Sequence, residues 1–142
     1  MKKWSLLLVF LLLVGTAAFA QEEVSEKKYE NVDWYQVVLI DFQQGKVGAA
    51  QAIIDKFEAA GAEAGTPGPE LYWFSTGEYD AMAIWKLEDG PGDLEWQITP
   101  DDVKWWDAFV EQQGSAEEAQ KLQQEFGSLV VKSTSYLSRK EK

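Results

Sequence analysis

The sequence predicts an α+β domain, with one four-stranded antiparallel sheet carrying helices on one face. Three observations predict it. Residues 33–42 (DWYQVVLIDF) hold a continuous apolar run, Val37-Val38-Leu39-Ile40, as in a strand covered on both faces. Residues 71–87 (LYWFSTGEYDAMAIWKL) read as two strands around the polar turn Ser75-Thr76-Gly77-Glu78, where Gly77 can take the positive φ of a short hairpin loop. Two stretches of helical periodicity complete the pattern, one between these strands and one after them.

The first helix is expected over residues 46–60. Val47, Ala50, Ile53, Ile54 and Phe57 fall on one side, with Lys46, Gln51, Asp55 and Glu58 off the stripe. Gly61 suits the position just past its end. Residues 63–70 (EAGTPGPE) and 88–98 (EDGPGDLEWQI) are loops by their glycine and proline content. Thr99-Pro100-Asp101-Asp102 is a helix start, with Thr as N-cap, Pro at the first position and acids at the positive dipole end. That helix runs to about Gln113, with Val103, Trp106, Phe109 and Val110 on one side, Trp105 beside them, and Gly114 as its stop. Ser115-Ala116-Glu117-Glu118 reads as a capping box for a short helix that buries Ala119, Leu122 and Phe126 and ends at Gly127. Residues 128–138 form the last strand and 139–142 a charged tail. The order β-α-β-β-α-β, its second helix broken in two, is that of ferredoxin-like domains. It places one such domain at residues 33–138.

The N-terminus has a different character. Met1-Lys2-Lys3, an apolar run from Trp4 to Val14 and the Ala18-Phe19-Ala20 site make residues 1–20 a secretory signal peptide, cleaved after Ala20. The run is shorter than the ~20 residues of a membrane span, so no stable membrane insertion is expected after cleavage. The expected location is periplasmic or extracellular. Residues 21–32 form a charged, flexible lead-in. Without Lys2 and Lys3 the chain carries 11 Lys plus Arg against 24 Asp plus Glu, a formal charge of −13. Nucleic acid and anionic membranes repel such a chain. With no cysteine to staple it in an oxidising compartment, its core must suffice alone.

One helical layer cannot cover a sheet that is apolar on both sides. A homodimer with sheets face to face would bury the second face, and the 88–98 connector folding over it is the alternative. This order also resembles the dimeric α/β-barrel superfamily. Gly77-Glu78-Tyr79-Asp80, followed by Ala81-Met82-Ala83-Ile84, is similar to the Gly-x-Tyr-Asp signature of its GYD-type members, where the tetrad opens the third strand. The resemblance implies a barrel of two paired sheets. Haem-dependent members of the superfamily ligate iron through histidine, and cofactor-free oxygenases commonly use an Asn, Trp and His set. Here there is no histidine, and the single asparagine, Asn31, sits in the lead-in.

Absence of histidine and cysteine removes the ligands of zinc, copper and haem sites and the nucleophile–base pairs of hydrolases. No phosphate-binding glycine motif occurs, and no cofactor is expected. Residues 88–95 carry four carboxylates around two glycines, without EF-hand spacing, and read as an acidic surface loop rather than a Ca²⁺ site. Asp41, at the end of an apolar strand, is the candidate general base, with Tyr35 or Tyr72 assisting; a strand-end Asp more often simply solvates. Tyr79 and Asp80 read as hairpin residues. Seven tryptophans in 142 residues call for large burial surfaces. Trp73, Trp85, Trp96, Trp105 and Trp106 are candidates to line a small apolar ligand's cleft, and a packed core and dimer seam explains them equally well. The leading expectation is an exported, non-catalytic dimer that binds a small apolar or aromatic ligand or a protein partner. The alternatives are a cofactor-independent monooxygenase or isomerase and a structural envelope protein.

Overall fold

The computed structural model of the chain describes residues 24–142. The expected signal peptide, its cleavage site and the first residues of the lead-in lie outside the described residues. β1 (Val32–Phe42) is followed by α1 (Val47–Ala64), β2 (Glu70–Trp73) and β3 (Ala81–Leu87). A short 3-10 helix (Gly90–Glu95) then leads to α2 (Pro100–Gln113), α3 (Ala116–Leu129) and β4 (Val130–Glu141). The strands form one antiparallel sheet in the order β2-β3-β1-β4. This is the expected ferredoxin-like arrangement, with the second helix broken at Gly114 and Ser115.

Register divides the sheet into two unlike faces. Val38 opposite Ala83 and Ile40 opposite Ala81 point to the helices. There Ile40, Phe42, Ala50, Ile53, Ile54, Ala81 and Leu129 make the main core. A second cluster, Ala60, Phe109 and Ala119, lies between the helices. Phe57 packs against both clusters, at 5.4 Å from Phe126 and 5.3 Å from Phe109, edge to face in each case. Such T-shaped pairs match the positive ring edge to the negative ring face.

Among the described residues the other face carries no helix, and its central side chains are half-buried. Leu39 opposite Met82 and Val37 opposite Ile84 form its centre, with Tyr35, Tyr72 and Tyr136 around them. Tyr72 and Tyr136 are about half exposed. The 88–98 connector does not roof this face. It turns the other way, and buried Gly90 rests on the indole of Trp34, a helix-side residue. A Cβ on Gly90 would stand 3.1 Å from Trp34 Cδ1, and its φ is +66°, so both space and backbone demand glycine there.

Element ends differ from expectation where packing outweighs local propensity. α1 runs a turn past Gly61 and is capped by Gly65 at φ 66°. Gly61 is buried within it, against Thr66 and Trp105, and that packing offsets glycine's weak helix propensity. α3 likewise passes through Gly127 to bury Leu129. β4 starts two residues later than expected, at Val130, and takes in most of the expected tail, because pairing with β1 continues to Val32 opposite Glu141. Of the capping box expected at Ser115, the hydroxyl arm forms, accepting from the Glu118 amide. Thr99 and Asp102 form both arms. Tyr29 of the lead-in docks edge-on to Trp34, with Arg139 stacked 3.9 Å over its ring.

Candidate functional site

The main cavity, about 590 Å³, opens between α1, the helix side of the sheet and the first turn of α2. Its α1 wall is Ile54, Phe57, Glu58, Gly61 and Ala62, one face at the helical i, i+3, i+4, i+7, i+8 spacing. Ile40, Leu71, Ala83 and Trp85 come from the sheet, and Thr66–Pro69 closes one side. Asp101, Asp102 and Trp105 come from α2. Small side chains at Gly61, Ala62 and Ala83 leave the space open. The volume lies in the range of small-molecule pockets, roughly 300–1,000 Å³.

Trp105 is held on three sides. Its Nε1 donates to the Phe57 carbonyl at 3.0 Å, its ring stacks on Phe109 at 5.0 Å, and Phe57 meets it edge-on at 5.7 Å. With its only polar atom committed, the indole presents carbon to the cavity. The carboxylates sit at the margin. Asp102 accepts from the Thr99 amide and Asp101 pairs with Lys104 at 2.8 Å. Glu58 is exposed. Among the described residues no lysine or arginine lines the cavity.

Of the five candidate tryptophans, Trp85 and Trp105 meet in this cavity. Trp106 packs instead against Trp105 and Phe109 in the helix interface. Trp73 stacks on Phe42 at 6.3 Å, and Trp96, beyond the 3-10 helix, is 58% exposed. Glu58, Gly61, Thr66 and Leu71 were not candidates. The α1 spacing could have found Glu58 and Gly61, but taking Gly61 as the helix end concealed it. The second element to line the space, the 66–69 loop, carries no periodicity from which to read it.

Asp41, Tyr35 and Tyr72 do not converge. All three lie on the open face, but Asp41 and Tyr35 are six residues apart on one strand, roughly 20 Å. Tyr72 stands on β2, two strands away from β1, and donates its hydroxyl to Glu70 at 3.0 Å. That carboxylate raises the Tyr72 pKa through the hydrogen bond and its charge. Asp41 lines a shallower depression with Phe42, Gln43, Asp80 and Val131. Among the described residues no group of three or more acidic side chains is gathered to hold a metal ion.

The Gly77–Asp80 tetrad proves to be a brace rather than a simple turn. Gly77 adopts φ +113°. Glu78 pairs with Lys132 on β4, and the Tyr79 hydroxyl hydrogen-bonds Thr134 at 3.0 Å, so both reach past β1. Lys132 also lies over the Tyr79 ring. The Thr134 contact and then Lys132 lower the Tyr79 pKa, while Glu78 and Tyr79 raise that of Lys132. The Asp80 carboxylate accepts the Phe42 amide at 2.9 Å, just beyond Ile40–Ala81, the last pair of the β1–β3 ladder. It supplies an acceptor where that ladder has ended.

No family model matches the chain, and no curated protein is similar to it. Among solved structures, it is similar to a NIPSNAP family protein with unknown function from Agrobacterium tumefaciens strain C58. The two share a TM-score of 0.52 at 9% identity, over 82% of this chain and 96% of that one. A second crystal structure of the same protein gives a TM-score of 0.48 at 10% identity, over 74% and 90%. At this identity the likeness is one of fold.

Proposed function

We propose that the chain is an exported, non-catalytic domain that takes a small apolar or aromatic molecule in the cavity walled by Trp85 and Trp105. The observation that carries this reading is a space of about 590 Å³ kept open by small residues, beside an indole already fixed by protein partners. Such a wall needs little ordering when a ligand arrives, which lowers the entropic cost of binding. Titrating apolar and aromatic compounds against tryptophan fluorescence tests it. Binding should weaken at least tenfold in Trp85→Ala while Trp96→Ala leaves it unchanged. Equal binding in both variants, or none in the parent chain, overturns the reading.

The proposed working unit is a homodimer of the α/β-barrel kind, its GYD-type tetrad at Gly77–Asp80 bracing the sheet that pairs. Supporting it is the apolar face of Val37, Leu39, Met82 and Ile84, which the chain's own connector leaves uncovered. At ~25 cal/mol per Å², hiding roughly 400 Å² of such surface is worth about 10 kcal/mol per face before association costs. Sedimentation at micromolar concentration should report a dimer. Export is supported by the basic, apolar and Ala-Phe-Ala succession of residues 1–20. N-terminal sequencing of the secreted chain should begin at Gln21.

A further inference from the structure

We propose that the cavity selects a cationic ligand, an amine or quaternary ammonium carried on an apolar or aromatic body. This rests on the cavity being the binding site. Three features of its lining point the same way. Every ionisable group among the described lining residues is a carboxylate, Glu58, Asp101 and Asp102; Asp101 is paired with Lys104 outside the lining, and Glu58 makes no ion pair among the described residues. These groups hold the margin while the depth is carbon, namely Ile54, Phe57, Leu71 and the two indoles. A body seated among the latter brings a terminal charge out to the former. The indoles attract cations through the negative face of the ring. The Trp105 N–H, which could otherwise donate to an anion, is committed to the Phe57 carbonyl.

The capping network sharpens the preference. A free helix N-terminus would favour an anion at the start of α2. Here the Thr99–Asp102 box satisfies the Thr99 and Asp102 amides and places a carboxylate beside them. Glu58 has no such duty in the cap. It belongs to α1 and Asp101 to α2, so the lining offers a cation carboxylates from two elements. The excess of acids over the whole chain raises the local concentration of cations further.

Three probes with one body separate charge from shape: 4-phenylbutylammonium, 4-phenylbutanol and 4-phenylbutyrate, titrated against the full chain by calorimetry. The ammonium should bind about tenfold more tightly than the alcohol, and the carboxylate more weakly than both. Added salt should weaken the ammonium selectively. The double substitution Glu58→Gln, Asp101→Asn keeps volume and should bring ammonium and alcohol within about twofold of each other. Alcohol binding as tight as the ammonium, lost in Trp85→Ala, would keep the cavity as a site and overturn its cation preference. Ammonium binding untouched by the double substitution would overturn it as well. No binding by any of the three would overturn the cavity reading itself.

Discussion

The two faces of the sheet are built from the same strands and have opposite fates. On the helix side, Ala81, Ala83, Ile40 and Phe42 disappear beneath three helices, and what stays open is a walled cavity. On the far side, residues one step along the same strands stand uncovered, their apolar centre flanked by tyrosines and by the Glu78–Lys132 and Tyr79–Thr134 links. The period of two along a strand separates them, so neighbouring residues serve different purposes. Residues on the first face answer for folding and the cavity, and those on the second for the proposed dimer.

On the helix side, Phe109 is fully buried and stacked on Trp105. Phe109→Ala should cost about 3–5 kcal/mol in urea unfolding, a loss that no single truncation on the open face should match. On the open face, Leu39→Lys places a charge at the centre of the apolar patch. It should weaken self-association at least 100-fold, equivalent to about 2.7 kcal/mol, while cavity binding is retained. A parent chain that sediments as one protomer at micromolar concentration removes that contrast. Asp80→Ala removes an ionised acceptor from the Phe42 amide and should cost about 1.5–3 kcal/mol without changing the apolar area of either face. Gly61→Ala acts in the opposite direction. Its Cβ would meet Thr66 and Trp105 at 3.7–3.8 Å, ordinary contact, so α1 should gain about 0.5–1 kcal/mol in the same unfolding experiment.

The smallest effect concerns two open-face tyrosines with opposite shifts. Thr134 and Lys132 hold Tyr79 below the ordinary value of 10.0, and Glu70 holds Tyr72 above it. Phenolate absorbance should therefore rise earlier in the parent chain than in Tyr79→Phe, and Tyr72→Phe should remove the last component. The sign for stability follows. A lowered native pKa means the folded chain releases its proton first, so the Tyr79 contribution appears as pH rises through that native value and is complete above 10. Tyr72 has the opposite sign: its raised native pKa makes a contribution that is fully present below 10 and is lost as pH rises through the native value.

Much of the fold was legible because it rests on local rules. The apolar run at Val37–Ile40, the Thr99-Pro100 start and the Gly114 stop each report backbone chemistry within a few residues, and each has its structural counterpart. The misread ends share one cause. Gly61 and Gly127 look like helix terminators by propensity, and a buried contact outweighs about 1 kcal/mol of propensity. The tetrad at Gly77–Asp80 was visible as a turn, but its partners Lys132, Thr134 and Phe42 lie 38 or more residues away, where no local pattern reaches.

Element order, the two apolar sides of the central strands, the acidic charge and the exclusion of histidine and cysteine chemistry are legible in the residues alone. These depend on residue type and on short-range periodicity. Which of five tryptophans share a cavity, which face the 88–98 connector covers, and the separation of Asp41, Tyr35 and Tyr72 emerge in the folded chain. Those facts depend on how elements distant in sequence pack together, and packing is settled by the shape and volume of all the partners at once.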